Sequence, residues 1–399
     1  MTSKVNISDT TLPQGFSAAG VRCGVRRHRP DLALLLSKRP AVAAGVFTQS
    51  TCQAAPVLYS KALLPADNIK AVITNSGQAN AGTGRQGKKD NQTMVDAVAQ
   101  SLRCTNTQVL SASTGVIGEP MQIELITAAI PTLIANLTHQ VDRFAQAIMT
   151  TDLVPKTVYK VLTLQQKPVI ITGVAKGSGM IHPNMATMLA YLLTDVQIAS
   201  AQAQQMLQDV TNNSFNMISV DADMSTNDSA FFLANGSSGV VLDNAQDIKT
   251  FQQALQEVAT LLAKSIARDG EGASKLIEVK VINAPDEMFA KNVARSLTTS
   301  PLIKTAIYGQ SPNWGRLLAR LGMARVPSKL FAKLSISCQG RLLYDQGEPV
   351  LRDRHILKNS MQADTVMLTV NLKSGQHHAV AWGCDLSEKY VEINARYLT

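Results

Sequence analysis

Two spacings of apolar residues alternate along this chain of 399 residues, and their alternation constrains the fold more than any other feature. Short runs rich in β-branched residues, such as IKAVITN at residues 69–75, predict buried strands. Longer windows, such as residues 247–267, place their apolar residues on one stripe and predict amphipathic helices. Strands and helices in alternation are typical of a mixed α/β protein.

The clearest of these windows define a set of predicted elements. Pro131 is expected to break the helix that contains it, because proline lacks the amide hydrogen that a helix interior needs. No fixed-period repeat, low-complexity tract or Pro/Ser-rich linker interrupts the pattern. Strands are predicted at residues 69–75, 107–112, 168–175, 187–193, 230–233 and 275–282, and helices at residues 91–102, 123–137, 201–210 and 247–267.

The chain is basic, with 38 Lys and Arg against 29 Asp and Glu and a formal net charge of +9. With 45% apolar and 17% charged residues, it matches neither a disordered chain nor a coiled coil. Nucleic-acid binding without catalysis is one interpretation of the charge, but only 5% of the residues are aromatic and none is interleaved with the basic cluster. A solvated basic face, or attraction for small anionic substrates, is favoured. The basic cluster comprises Arg22, Arg26, Arg27, His28, Arg29, Lys38 and Arg39.

Neither a secretory signal nor a membrane span is expected. Residues 1–16 have no apolar core after Lys4, and the most apolar stretches are far shorter than the roughly 20 residues that cross a bilayer. The cysteines are odd in number and widely separated, without a C-x-x-C pair, so they are expected to be reduced core thiols of a cytoplasmic protein. They are Cys23, Cys52, Cys104, Cys338 and Cys384.

A G-x-G-x-x-G pattern is present at Gly82, Gly84 and Gly87. A dinucleotide site would need an acidic residue for the ribose about 20 positions further on. Residues 97–117 contain neither Asp nor Glu, so a turn that requires glycine torsions is favoured over a dinucleotide site.

Two patterns that suggest metal binding are incomplete. Residues 221–225 (DADMS) begin like a calcium loop, but Thr226 stands where that loop requires glycine. His377 and His378 have no further ligands nearby in the sequence and are expected to lie in a solvated loop. No metal site is predicted.

The least ordinary stretch is GVAKGSGMIHPNMATMLA at residues 173–190, in which a strand enters a loop and an apolar strand restarts at Thr187. The sequence has no G-x-S-x-G or H-E-x-x-H motif. A threonine hydroxyl is a poor nucleophile until a base removes its proton, and cutting the Ala186–Thr187 bond would free an α-amine that can be this base. From the residues alone, a β-branched residue that opens a strand is the simpler interpretation of Thr187.

A resemblance to a known family changes that interpretation. The run KGSGMIHPNMATML at residues 176–189 resembles the signature of the ornithine acetyltransferases of arginine biosynthesis. Family members commonly have Asp-Gly-Asp-Thr where this chain has Asp221, Ala222, Asp223 and Met224, which puts only the local loop geometry in doubt. Gln78 and Gly82 also depart from the common residues, Asn and Cys. Further stretches that resemble the family in the same order are residues 75–81, 113–118, 150–152, 225–228, 269–272, 312–316 and 393–399.

The resemblance implies roles for individual residues. Thr187 corresponds to the family's nucleophile, before which the chain cuts itself, and Thr114 and Gly115 correspond to its oxyanion hole. The residue types are suitable, since Lys176 can pair with a carboxylate and Glu271 with the side-chain ammonium of ornithine. Asp228, in one of the resembling stretches, is assigned a packing role. The residues that correspond to substrate contacts are Thr150, Lys176, Thr187, Glu271, Asn394 and Thr399.

The resemblance further implies an α/β fold in which helices pack on stacked mixed sheets, unlike that of the doubly wound dehydrogenases. The chain would mature into residues 1–186 and 187–399, and two copies of each would form a heterotetramer. An acetyl group would pass from N-acetylornithine through Thr187 to glutamate, with no metal or organic cofactor. Whether acetyl-CoA is also a donor is left open. A related self-cleaving aminopeptidase, which passes its acyl group to water, is the alternative.

Overall fold

A computed structural model describes residues 5–6, 11–182, 188–350 and 354–396. Its strands form two mixed sheets within these residues. The first runs β1-β6-β7-β8-β10-β3-β4-β5, with β2 also paired to β3, and the second runs β14-β13-β12-β15-β11-β16-β9. The strands are β1 (Val5–Asn6), β2 (Phe16–Val21), β3 (Leu32–Phe47), β4 (Ala66–Gln78), β5 (Val109–Val116), β6 (Lys156–Leu164), β7 (Lys167–Lys176), β8 (Leu189–Thr194), β9 (Ile218–Ser219), β10 (Ser229–Ala234), β11 (Leu276–Ala284), β12 (Ser335–Cys338), β13 (Arg341–Asp345), β14 (Glu348–Pro349), β15 (Thr365–Asn371) and β16 (His377–Cys384).

The helices cover the faces of these sheets. Several begin at a side chain that caps a free amide, as where Asn244 accepts from the Asp247 N–H at the start of the longest helix. They are α1 (Ala55–Leu63), α2 (Gly84–Leu102), α3 (Ile123–Ala135), α4 (Asp142–Ala147), α5 (Ser200–Asn212), α6 (Ala245–Arg268), α7 (Glu287–Thr298), α8 (Pro301–Tyr308), α9 (Trp314–Met323), α10 (Ser328–Phe331), α11 (Arg354–Ser360) and α12 (Glu388–Arg396).

The long helix α6 connects the two sheets. It packs on β6 and β7 of the first sheet and on β11 and β16 of the second. Its buried stripe, which includes Phe251, Leu255 and Leu262, belongs to one apolar core shared with strands of both sheets. On the other face of the first sheet, Tyr191 and Phe231 pack with Phe144 of α4. The predicted α/β class with helices on stacked mixed sheets is confirmed.

Each predicted strand and helix overlaps an observed element, but several details were wrong. Helix α3 continues through Pro131, because Ile126, Ile130 and Leu133 on both sides of the proline are buried against the rest of the fold. His377 and His378 are exposed, as expected, but they begin strand β16 instead of lying in a loop. Thr187, the predicted start of β8, lies outside the described residues.

Helix α2 begins seven residues earlier than the predicted residue 91, at Gly84. Its first two turns are polar and carry no apolar periodicity, so the sequence pattern could not reveal them. Gly82 and Gly84 have φ angles of 69° and 61°, which confirms the prediction of a turn that requires glycine.

Two further expectations can be compared with the structure. The thiols of Cys338 and Cys384 are buried, but Cys52 is exposed, so the cysteines are not uniformly core residues. Ala222 has a φ of 69°, in the left-handed region that favours glycine, and glycine is common at this position in the resembling family. In the described part of the chain, no helix is both long and apolar enough to cross a membrane.

Candidate active site

A cavity of about 100 Å³ opens where strands β5 and β7 end, next to the turn after α6 and the last turn of α12. Its lining brings together residues that are separated by up to 315 positions in the chain, from Ala79 to Asn394. Thr187, Ala186 and Thr399 lie outside the described residues. Every predicted site residue that the structure describes lines this cavity: Thr114, Gly115, Thr150, Lys176, Glu271 and Asn394.

Lys176 is the buried cation of the cavity. It is the last residue of β7 and is 4% exposed. Its Nζ donates a hydrogen bond to Thr150 Oγ1 at 2.7 Å and a longer one to Thr114 Oγ1 at 3.4 Å. Burial lowers the pKa of this ammonium group, and Asp152 partly offsets the effect. Because the Thr114 oxygen accepts from Lys176, its hydroxyl hydrogen is available to another acceptor.

Asp152 fixes the position of Thr150. Its Oδ2 accepts from the Thr150 N–H at 2.9 Å, and its Oδ1 accepts from the Gly177 N–H at 2.6 Å and from Lys156 Nζ at 2.7 Å. Burial by itself would raise the pKa of this carboxyl, but Lys176 and Lys156 hold the pKa well below its usual range. A permanent carboxylate therefore ties the Thr150 turn to the end of β7.

Lys156 extends this network to a third segment of the site. Its Nζ also donates to Asp269 Oδ2 at 2.6 Å. Asp269 in turn accepts from the Leu153 N–H through its side chain and from the Ser178 hydroxyl through its main-chain oxygen. The turn that carries Glu271 is thus joined to the segments that carry Thr150 and Lys176.

The Thr114-Gly115 pair lies on strand β5, which runs parallel to β4 so that Gly115 is opposite Gly77. Gly115 has a φ of 132°, and a Cβ atom there would come within 3.0 Å of the Gly77 backbone. Glycine is therefore required at this position. Asn227 Nδ2 supports the same strand by donating to the main-chain oxygens of Ser113 and Ala79, at 2.8 and 2.6 Å.

Glu271 and Asn394 form the acidic side of the cavity. Asn394 Nδ2 donates to Glu271 Oε2 at 2.8 Å, which joins helix α12 to the turn after α6. The Glu271 N–H donates to the Ser178 main-chain oxygen at 2.9 Å. A Cβ atom on Gly179 would come within 3.0 Å of the Glu271 carboxyl group, so the carboxylate packs directly against this glycine.

Two members of the basic cluster, Arg26 and Arg29, donate hydrogen bonds to the main chain of the Thr150 segment. Arg26 donates to the main-chain oxygens of Met149 and Thr150, and Arg29 donates to that of Asp152. The sequence predicted a solvated face or attraction for anions and missed this role, because the partners are more than 120 residues apart. Lys156 and Asn227 were also missed: no local sequence pattern marks Lys156, and Asn227 lies in the resembling stretch 225–228 but was given no role.

The arrangement combines a buried ammonium group, a Thr-Gly turn and a carboxylate around one small cavity. Such a site can bind a molecule that carries both a negative and a positive charge, and can place a carbonyl oxygen beside hydrogen-bond donors. Within the described residues, no three His, Cys, Asp or Glu side chains are grouped as metal ligands would be.

Comparisons with known proteins assign the chain to a family. The model of the ArgJ family matches residues 17–399. The arginine biosynthesis bifunctional protein ArgJ of Synechocystis is 44% identical over 98% of this chain and 97% of its own length, and that of Thermotoga neapolitana is 42% identical over 97% and 100%. A crystal structure of the ArgJ protein of Bacillus halodurans aligns with a TM-score of 0.50 and 39% identity, over 53% of this chain and 100% of that one. The chain therefore belongs to the ArgJ family.

Proposed function

We propose that this protein is a glutamate N-acetyltransferase of arginine biosynthesis that transfers an acetyl group from N-acetylornithine to glutamate. The observation that carries the proposal is the cavity in which Lys176 and Glu271, residues of opposite charge, lie with Thr114 and Gly115. Substrates that are amino acids need partners for a carboxylate and for an ammonium group, and an acetyl carbonyl needs donors for its oxygen. The names of the relatives, which are bifunctional proteins of arginine biosynthesis, support the same conclusion.

The nucleophile in this proposal is Thr187, made available by self-cleavage of the Ala186–Thr187 bond. Cleavage would give residues 1–186 and 187–399 and a free α-amine on Thr187, whose ordinary pKa of roughly 8 lets it act as a base near neutral pH. The Bacillus halodurans chain aligns over its whole length with 53% of this chain, which is close to the share that residues 187–399 make up. Two copies of each part would form the heterotetramer, in the cytoplasm.

Acetyl transfer then follows a ping-pong sequence. The α-amine takes the proton of the Thr187 hydroxyl as its oxygen attacks the acetyl carbonyl, and ornithine leaves after its nitrogen takes that proton. The amine of glutamate attacks the acetyl-Thr187 ester in the second half. In both halves the Thr114 hydroxyl and the Gly115 N–H would stabilise the oxyanion, and each such donor contributes about 2.7 to 4 kcal/mol.

The charged groups of the cavity would orient the substrates. Lys176 would pair with the α-carboxylate, and Glu271, held by Asn394, with the side-chain ammonium group of ornithine. Thr150 would contribute its hydroxyl, and Thr399 would be a further substrate contact. None of these steps requires a metal or an organic cofactor.

The test is an acetyl-transfer assay with N-acetylornithine labelled in its acetyl group. With glutamate present, we expect the label to appear in N-acetylglutamate in step with release of ornithine. Without glutamate, added ornithine should still exchange with N-acetylornithine, because the first half-reaction is reversible in a ping-pong mechanism. The same assay with acetyl-CoA in place of N-acetylornithine tests whether acetyl-CoA is also an acetyl donor. Release of free acetate without transfer would contradict the proposal and favour the self-cleaving aminopeptidase.

Gly179→Ala is predicted to weaken substrate binding through Glu271. The new methyl group would displace the Glu271 carboxylate and break its hydrogen bond with Asn394. Because the Glu271 side chain is flexible, its movement would relieve most of the steric clash. A hydrogen bond to a charged group contributes about 1.5 to 3 kcal/mol, so KM for N-acetylornithine should rise roughly 10- to 100-fold. We expect the free energy of unfolding to change by less than about 1 kcal/mol.

Gly322→Ala is the matched control, because a Cβ atom on that glycine of α9 meets nothing within 4 Å. Its KM should equal that of the unmodified protein. An unchanged KM in Gly179→Ala would show that the Glu271 carboxylate does not contact the substrate.

A further inference from the structure

Helix α12 supplies Asn394 to the cavity, although none of the side chains that the structure describes in this helix is fully buried. A helix without a buried apolar face gains little from packing, so polar contacts must fix its position. The hydrogen bond from Asn394 to Glu271 is one such contact. Another is made by Tyr390, near the start of the helix, and it leads to Asp221.

The Asp221 carboxylate holds the loop that follows β7. Its Oδ2 accepts from the Met180 N–H at 2.6 Å, and its Oδ1 accepts from the Ile181 N–H at 2.8 Å. Met180 has a φ of 56°, in the left-handed region that residues other than glycine adopt only when their surroundings impose it. The two hydrogen bonds therefore keep this loop in a backbone conformation that it would not prefer by itself.

The same loop determines where the Glu271 carboxylate lies. Gly179, directly before Met180, packs against that carboxylate, and the Glu271 N–H donates to the Ser178 main-chain oxygen at 2.9 Å. Gly179 and Met180 also line the cavity. A shift of the loop would therefore move the carboxylate that the cavity presents to an ammonium group.

Tyr390 connects Asp221 and Glu271 with helix α12. Burial raises the pKa of its hydroxyl, and Asp221 and Glu271 raise this pKa further, because nearby carboxylates favour the neutral phenol. Asp221 is also the hydrogen-bond partner of that hydroxyl. The Tyr390 main-chain oxygen accepts from Asn394 Nδ2 at 3.0 Å, and the same amide group donates to Glu271. The Asp221 carboxylate thus contacts both the loop and the helix that hold Glu271.

We propose that Asp221 is a positioning residue that determines how well the cavity binds the donor substrate. Its carboxylate fixes the loop and the helix that contact Glu271, and Glu271 in turn meets the side-chain ammonium group of N-acetylornithine. This inference rests on the proposed function, which gives Glu271 that partner. Since its oxygens are engaged by the loop and the helix, Asp221 acts through Glu271 and not on the substrate. Glutamate has no side-chain ammonium group, so its half-reaction does not depend on this arrangement.

The first test measures kcat/KM for each substrate in Asp221→Asn and Tyr390→Phe. In a ping-pong reaction each of these values reports only the half-reaction of its own substrate. We expect kcat/KM for N-acetylornithine to fall about 10- to 100-fold in Asp221→Asn and about 3- to 10-fold in Tyr390→Phe, which loses a single contact and no charge. The value for glutamate should change by less than about twofold in both. A general loss of folded protein would lower the two values equally.

Two control variants separate positioning from loss of charge and from loss of a hydroxyl group. Asp223→Asn removes an equal charge two residues away, on an exposed side chain. Tyr59→Phe removes a hydroxyl that donates to the Asn106 main-chain oxygen. Both should keep the kcat/KM values of the unmodified protein. The inference is overturned if Asp223→Asn has as large an effect as Asp221→Asn, if the two values fall equally in Asp221→Asn, or if the value for N-acetylornithine is unchanged in Asp221→Asn and Tyr390→Phe.

The second test needs no catalytic activity. Amide hydrogen exchange is compared between the unmodified protein and Asp221→Asn. We expect residues 178–182 and 388–396 to exchange faster in the variant, whereas residues 123–135 of α3 keep their rates. Unchanged exchange in α12 contradicts the inference. An unmodified protein that transfers no acetyl group contradicts the proposed function, whatever the exchange in α12, so the two failures are distinguishable.

Discussion

Thr187→Ala is expected to leave the chain as a single band near 43 kDa on a denaturing gel, whereas the unmodified protein should give bands of about 20 and 23 kDa. The hydroxyl that attacks the Ala186 carbonyl is absent from alanine, so the peptide bond survives. The α-amine that serves as base is then never formed. Acetyl transfer should fall to background, because nucleophile and base are lost together.

Two control variants distinguish this chemistry from damage to the fold. Thr194→Ala removes another buried threonine hydroxyl, at the opposite end of β8, and that chain should still be cut. Thr187→Ser keeps a hydroxyl and should still be cut. An unmodified protein that transfers acetyl groups while remaining one uncut chain would refute the mechanism.

The fold was predictable where local patterns carry it. The apolar stripe of α6 and the β-branched runs of β4 and β11 indicate a fold of helices layered on sheets. Each of these elements must bury its apolar face, and few arrangements of helices and strands allow this. The start of α2 and the continuity of α3 were not predictable in this way. Helix α2 begins with polar turns and α3 contains a proline, and both stretches are helical only because tertiary contacts outweigh these local preferences.

The candidate site also contains residues that the sequence marks and residues that it does not. Residues such as Thr114, Lys176 and Glu271 lie in stretches that resemble a family, and the structure brings them to one cavity. The residues that hold them, such as Arg26 and Lys156, have at least one partner more than 100 positions away. Such pairings have no periodicity or motif, so only the folded chain reveals them.

Among these supporting residues Lys156 is the most consequential. It is a buried cation between two carboxylates, Asp152 at 2.7 Å and Asp269 at 2.6 Å, with side-chain exposures of 1%, 0% and 7%. Removing one partner of a buried ion pair costs about 3 to 5 kcal/mol, because the remaining charge is left unpaired. Asp152 would keep Lys176 at 3.9 Å, but Asp269 would lose its cation.

Lys156→Met is therefore expected to lower the free energy of unfolding by about 3 to 5 kcal/mol and to abolish most acetyl transfer. Activity is lost because the two ionic contacts of Lys156, to Asp152 and to Asp269, no longer join the Thr150 and Glu271 segments. Denaturant unfolding and the transfer assay measure the two effects. Lys160→Met is the control: Lys160 lies on the same strand and is also buried, but it pairs with the exposed Glu257, so its loss should cost less and leave kcat unchanged.

A second variant separates charge from packing. In Lys156→Met with Asp269→Asn, the unpaired carboxylate of Asp269 is neutralised, so part of the stability should return. Acetyl transfer should not return with it, because asparagine and methionine cannot restore the two ionic contacts that join the segments. Equal stability of the single and double variants would mean that the buried charge is not the source of the loss, and recovery of activity in the double variant would mean that the network does not position the site.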